Sequence, residues 1–423
     1  MKESEFAMGS GLSRSFSFVL LLAIFFCEVG VMSITDVQPN FLLLSLIGLG
    51  FWARSTKINV NTLTLFCICS LSLLMSFIVH QENVTGTYVF KYIASLITVF
   101  SCYLLCSNQR LNFSNKFLLT VGLVYFLVAF IQFIVPEFLT SLISRQQTTV
   151  DLRSSGRGMM SLTGEPSHFG KTVTIINILY VFKVLVKGEK LIGNVPLISA
   201  SFILFLLNCA LSQSFYACFF HFACLLVIVY MINRKLAIFY VGLTVFGVSS
   251  LVIFVNLDLP DLRVFSVLTA LLEEPEVLLK QGAALRVFNI PLNFYNLTYF
   301  GVLGSGNSEE SFKGLVDVGI GYLEYHVWNR LYGGFIEYVL KMGILSVPLV
   351  TGYIYMFIRI SRIRFQIGRY RQVSGFIFSS MLLVLSLQDG SPASPLMIFA
   401  SIYVYVQCDI MLKHRKNALG PTI

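Results

Sequence analysis

Charged residues are scarce in this chain. Asp, Glu, Lys and Arg together make up 12% of its 423 residues, whereas soluble domains carry roughly 25%. Apolar residues reach 56%, and the mean hydropathy is +0.79. The shortage of charge excludes an ordinary soluble domain. It predicts an all-α polytopic membrane protein, because a membrane-spanning helix needs about 20 mostly apolar residues.

The sequence also lacks the residue patterns of several other kinds of site. All nine cysteines fall inside predicted spans and none lies in an outer loop, so no disulfide framework is indicated. No cysteine pair has zinc-like spacing with histidines, and neither a metal site nor a cofactor is expected. No basic stripe with interleaved aromatic residues is present, which argues against nucleic-acid binding.

Long apolar runs, in contrast, are abundant. They divide the chain into helices 1–5 (residues 1–139), a first polar loop (140–166), helices 6–9 (167–256), a large polar loop (257–330) and helices 10–12 with a basic tail (331–423). The twelve predicted spans lie near residues 16–34, 39–53, 61–80, 88–107, 116–139, 167–187, 194–213, 214–233, 235–256, 331–358, 373–388 and 394–412.

Basic residues set the predicted orientation. With the N-terminus in the cytoplasm, cytoplasmic segments hold 19 of the 30 Lys and Arg residues, Lys183 included. The segment 359–371 alone contains five arginines, too basic for an outer loop under the positive-inside rule. Both termini are therefore predicted to be cytoplasmic, and the loops 140–166 and 257–330 face outward. Short amphipathic helices are expected in the larger loop.

The first polar loop carries an unusual group of cations. Arg145, Arg153 and Arg157 precede Glu165 and Pro166 between two apolar spans. A guanidinium group keeps its charge, and its fork matches the oxygens of phosphate and pyrophosphate. The loop is therefore predicted to bind an anionic group at the outer face of the membrane.

Several motifs resemble those of bacterial O-antigen polymerases. Arg153 and Gly164 have the spacing typical of this family, an arginine followed by ten residues and a glycine, whereas Arg286 has no glycine at that distance. Five segments carry the resemblance: Arg157–Gly170, Leu211–Ser214, Leu303–Gly306, Lys341–Ile344 and Gln388–Pro395.

The resemblance implies a metal-independent glycosyltransferase in the bacterial inner membrane, with its active site facing the periplasm. A glycan growing on undecaprenyl diphosphate would be transferred to the sugar of another undecaprenyl-diphosphate-linked repeat unit. This step belongs to the biosynthesis of lipopolysaccharide O-antigen. The implied partners are the lipid-linked O-units, the lipid bilayer and a separate chain-length-determining co-polymerase.

The arginines are the candidates for binding the diphosphate. Negative charge builds on a polyprenyl diphosphate as it leaves, so preorganised cations should lie beside it. Arg153, Arg157 and Arg286 are assigned this role, with Arg145 and Arg263 in reserve. The alternative for all five is ordinary contact with lipid headgroups.

The acceptor hydroxyl must also lose a proton, and two residues are candidate bases. Glu165 could be tuned by burial at a helix start, or it could simply cap that helix ahead of Pro166. His326 titrates near neutrality, or it belongs to an interfacial aromatic belt. His168 is expected to be packed or paired within the bundle. Lys171, one turn further along, could share a polar cavity with Glu165.

Two other functions remain open. O-antigen ligase, which transfers the glycan to lipid A-core, shares the arginine loops but usually has a His-Asn pair; here two residues separate His326 from Asn329. A polysaccharide flippase or other transporter would show paired halves with broken helices, and the sequence has no visible halves.

Overall fold

In the computed structural model, the regular structure of the described residues is helical. The described residues are 11–29, 40–53, 60–80, 86–108, 111–143, 158–187, 203–205, 207–209, 211–212, 302–304, 339, 341–363, 374–388 and 394–418. Within them, one isolated bridge between Val29 and Ile143 occurs, and there are no strands. The helices are α1 (Gly11–Phe25), α2 (Asn40–Ala53), α3 (Val60–Val79), α4 (Gly86–Ser107), α5 (Asn115–Ile134), α6 (Pro166–Lys187), α7 (Val347–Ser361), α8 (Ser374–Gln388) and α9 (Pro395–Ala418).

Most described helices begin and end within a few residues of the predicted spans. The short span near 39–53 is α2, and the span near 167–187, which carries His168, Lys171 and Lys183, is α6. The first span is shorter than predicted, because α1 ends at Phe25 and the chain turns at residues 26–28. The predicted spans near 214–233 and 235–256 lie outside the described residues.

In the described part of the predicted span near 331–358, the structure is not one continuous α-helix. A 3₁₀ turn, Gly343–Ser346, precedes α7. Gly343 has a φ of 52°, a left-handed conformation that a right-handed α-helix excludes. Pro348 then lies in the first turn of α7, where its missing N–H is tolerated.

The surface and composition of the helices identify a membrane-embedded protein. Within the part of the chain that the structure describes, four helical segments are long and apolar enough to cross a bilayer: Asn115–Ile134, His168–Val186, Gly343–Ser361 and Pro395–Lys413. Large apolar side chains face outward as well; Ile78, Ile134 and Phe376 are more than 60% exposed. Such a surface would be costly in water and is favourable against lipid.

Helix α6 is the most deeply buried of these four segments. It packs against α5 and α9. Near its C-terminal end, the Nζ atom of Lys183 donates to the carbonyl of Phe113 and lies 4.4 Å from the centroid of that ring. Lys183 is only 6% exposed. The sequence counted it among the cytoplasmic basic residues; in the structure it is buried in the bundle, where a carbonyl and an aromatic face stabilise its charge.

Candidate functional site at a buried loop

Residues 158–165, called here the buried loop, lead into α6. Residues 158–164 are all buried, and none of them is helical. Non-helical backbone at membrane depth is tolerated only where protein surrounds it and satisfies its polar groups. The contacts of this loop therefore determine whether it can hold its shape.

Gln132 of α5 supplies the main support of the loop. Its Oε1 accepts from the N–H of Ser161 at 2.8 Å, and its Nε2 donates to the carbonyl of Ser161 at 2.9 Å. The Ser161 hydroxyl donates to the carbonyl of Tyr125 at 2.6 Å. Ser161 has a φ of 54°, which is uncommon for a residue other than glycine. Three hydrogen bonds thus hold one strained residue.

These bonds place Ser161 beside the last turns of α5, since Gln132 lies two residues before the end of that helix and Tyr125 lies nearer its middle. Tyr125 precedes the last residue of α5, Ile134, by nine positions. At 1.5 Å per residue, that is about 13 Å along the helix axis. The loop therefore packs along the C-terminal part of α5 before the chain enters α6.

The residues around Leu211 and Ser212 form the opposite wall of the loop. The N–H of Met159 donates to the carbonyl of Leu211 at 2.8 Å. A Cβ on Gly158 would lie 2.4 Å from the carbonyl carbon and oxygen of Ser212, so only glycine fits there. Asn208 fastens this wall to α5, because its Nδ2 donates to the carbonyl of Gly122 at 3.0 Å.

Glu28 pairs with His168 at the point where the loop meets α6. Oε1 of Glu28 lies 3.1 Å from Nδ1 of His168, and Oε2 accepts from the N–H of Gly164 at 2.6 Å. The side chains of His168 and Glu28 are 30% and 17% exposed. The expectation that His168 is packed or paired within the bundle is confirmed. Sequence reasoning gave Glu28 no role, although a carboxylate in an apolar run was a usable signal.

The surroundings of Glu28 favour its ionised form. Glu28 lies beyond the end of α1. Its burial raises its pKa, but His168, the N–H of Gly164 and Lys171 together lower that pKa below its ordinary value of 4.5. Lys171 acts electrostatically on Glu28; that it could share a polar cavity with Glu165 stays a prediction.

Glu165 is the residue immediately before α6. Its carbonyl accepts from the N–H groups of His168 and Phe169, each at 3.0 Å, and Pro166 is the first helical residue. This is the geometry of an N-cap position. Its side chain is partly exposed, at the same turn of the chain as His168. The position is compatible with both roles predicted for Glu165.

The other predicted site residues lie outside the described residues. They are Arg153, Arg157 and Arg286, with the reserves Arg145 and Arg263, and the candidate base His326. Arg157 immediately precedes Gly158 in the sequence. Of the predicted set, the structure therefore describes Glu165, and it adds Glu28 and His168 beside it.

A second set of contacts, called here the glycine junction, joins residues 302–304 to Gly343 and Ile344. The N–H of Ile344 donates to the carbonyl of Val302 at 2.8 Å. His80, at the end of α3, bonds the carbonyl of Leu303 through Nε2 at 2.9 Å. A Cβ on Gly343 would lie 2.2 Å from the oxygen of Val302. The close approach of the two segments therefore requires glycine.

Comparison of the chain with protein-family models, curated proteins and solved structures found no match to any of the three.

Proposed function

We propose that this chain is an O-antigen polymerase, a membrane glycosyltransferase that joins undecaprenyl-diphosphate-linked repeat units at the periplasmic face of the bacterial inner membrane. The proposal combines the resemblance of the sequence motifs with the helical, membrane-embedded structure of the described residues. A chain-length-determining co-polymerase is its expected partner.

One observation carries the proposal: segments that resemble the polymerase family meet in pairs. The buried loop touches the wall at Leu211 and Ser212, and residues 302–304 touch Gly343 and Ile344. Each pair joins parts of the chain that are about 40 to 55 residues apart. Motifs that serve one reaction must come together in space, whereas chance similarities would be scattered over the fold.

The reaction needs cations at the leaving group and a base at the acceptor. We assign Arg153, Arg157 and Arg286 to the diphosphate, where their charge stabilises the developing negative charge. Arg157 directly precedes Gly158 in the sequence, and Gly158 is packed tightly against the backbone of Ser212. Glu165 and His326 are the bases that the sequence proposes for the acceptor hydroxyl.

The proposed topology has twelve spans with both termini in the cytoplasm. The described basic side chains near the C-terminal ends of α7 and α9 support this orientation. Arg359 and Lys413 both pair with Asp409, at 3.0 Å and 2.7 Å. In the proposed orientation this cluster lies at the cytoplasmic face, and the buried loop lies on the periplasmic side.

Deletion of the gene, followed by silver staining of lipopolysaccharide, tests the function. A strain without a polymerase should keep core lipopolysaccharide bearing one repeat unit and lose the ladder of longer chains. The intact gene supplied in trans should restore the ladder. Core without any repeat unit would contradict the proposal, because that profile belongs to a ligase or flippase defect.

A further inference from the structure

The pairing of Glu28 with His168 assigns the ring protons of the histidine. A carboxylate only accepts hydrogen bonds, and Oε2 of Glu28 already accepts from the N–H of Gly164 at 2.6 Å. The contact of 3.1 Å between Oε1 and Nδ1 therefore requires a proton on Nδ1. In the neutral imidazole, the lone pair then lies on Nε2, on the far side of the ring.

This arrangement is the one that general-base histidines use. An acidic side chain binds one ring nitrogen, fixes the tautomer and stabilises the cation that forms when the other nitrogen takes a proton. His168 keeps 30% of its side-chain surface exposed, so its ring is accessible. Glu28, at 17%, is the more enclosed partner.

The pair also lies where the proposed reaction needs a base. His168 belongs to the first turn of α6, three residues after Glu165 and eleven after Arg157. The buried loop between them is fixed by Gln132 and by the wall at Leu211. His168 therefore lies just after a short, rigid segment that Arg157 directly precedes in the sequence.

We infer that His168 is the group that takes the proton of the acceptor hydroxyl, and that Glu28 positions it. This inference rests on the proposed polymerase function and names a base other than Glu165 and His326. In the step, the acceptor oxygen forms a bond to the anomeric carbon of the donor glycan. The bond between that carbon and the diphosphate oxygen breaks, and its electron pair leaves with undecaprenyl diphosphate. The acceptor proton moves to Nε2 of His168 and later to solvent.

The test uses the purified full-length chain in lipid nanodiscs, with lipid-linked units extracted from the deletion strain as the substrate. His168→Ala should lower the rate of chain extension by about 10²-fold to 10⁴-fold, the usual contribution of a general base. Added imidazole should restore part of that rate, because it replaces the missing ring. His414→Ala, a histidine near the C-terminal end of α9, is the matched control and should retain the full rate.

The variant Glu28→Gln tests whether Glu28 orients His168 or only supports the fold. It keeps an oxygen for the N–H of Gly164 but removes the charge that orients His168. The kcat should fall by about 10-fold or more while the KM stays unchanged, since the pair acts in the transition state. Glu28→Asp, which restores the carboxylate, should recover part of the loss.

The outcomes are distinct. Full activity of His168→Ala overturns the inference and leaves the polymerase proposal intact. An inactive, folded His168→Ala protein that imidazole does not rescue assigns the histidine a structural role and also overturns it. If the wild-type chain extends no glycan in this assay, the polymerase proposal fails and the inference fails with it.

Discussion

Gly158 and Gly343 have no room for a side chain. A Cβ at Gly158 would lie 2.4 Å from the backbone of Ser212, and one at Gly343 would lie 2.2 Å from the oxygen of Val302. Gly343 also has a φ of 52°, which costs any other residue free energy. At both positions the nearest atoms belong to the backbone of another segment. An added side chain therefore cannot be accommodated by rotation of a neighbouring side chain.

Gly158→Ala and Gly343→Ala should each lower the thermal unfolding temperature of the detergent-solubilised protein. We expect a loss of at least about 1–3 kcal/mol for each variant, as for other overpacked or strained sites. Gly352→Ala is the control. Gly352 belongs to α7, and a Cβ added there would have no atom within 4 Å. That variant should be neutral or slightly stabilising. Equal unfolding temperatures for all three variants would contradict the packing described here.

Arg157 tests the proposed chemistry at the residue scale. Arg157→Ala should abolish the lipopolysaccharide ladder while the protein remains in the membrane at its normal level. Arg157→Lys should rescue poorly, because an ammonium lacks the two-pronged geometry of guanidinium toward a diphosphate. The expected loss is about 10²-fold in polymer, similar to removal of one transition-state donor. A normal ladder from Arg157→Ala would remove this residue from the site.

At the scale of elements, the joint between α1 and α6 depends on one carboxylate. Glu28 follows α1, and its two oxygens bind the N–H of Gly164 and the ring of His168. Tyr125 of α5 adds a second tie, because its hydroxyl donates to the carbonyl of Phe25 at 2.7 Å. The end of α1 is therefore fastened both to α5 and to the start of α6.

This joint should be sensitive to acid. The pKa of Glu28 lies below its ordinary value of 4.5, so the folded state favours the ionised form. Its contribution to stability is present above about pH 4.5 and is lost as the pH falls through the lowered pKa. The unfolding temperature of the wild type should drop in that acidic range more than that of Glu28→Gln. Parallel curves for the two proteins would show that Glu28 does not carry the effect.

Elements with a long apolar run were predictable from sequence, and the contacts between them were not. Helices α3, α4 and α6 begin and end within two residues of their predicted spans, because the need to bury backbone polar groups sets their length. The pair Glu28–His168 joins positions 140 residues apart, and no local pattern encodes such a partner. The turn at Gly343 was missed because hydropathy does not report a positive φ.

At the scale of the whole molecule, the described residues place many large apolar side chains on the outside and several polar ones inside. Gln132, Asn208 and Ser161 are fully buried, whereas Ile78 and Ile134 are more than 60% exposed. This is the arrangement that a lipid solvent favours, since buried polar groups bond one another and apolar ones face lipid. The polar interior is also what allows the buried loop to pack along α5.

Orientation is the property on which the proposed chemistry depends. Lipid-linked units would be joined in the periplasm, so the loop at 257–330 must lie outside and the arginine-rich segment 359–371 inside.

Reporter fusions after residues 270 and 365 test the sidedness of both segments. Alkaline phosphatase should be active only at 270, and green fluorescent protein should fluoresce only at 365, because each reporter works on one side of the membrane. We expect residue 365 on the cytoplasmic side because segment 359–371 contains five arginines, and positively charged loops are retained in the cytoplasm. The reverse pattern would place every proposed catalytic cation on the wrong side of the membrane for a periplasmic polymerase.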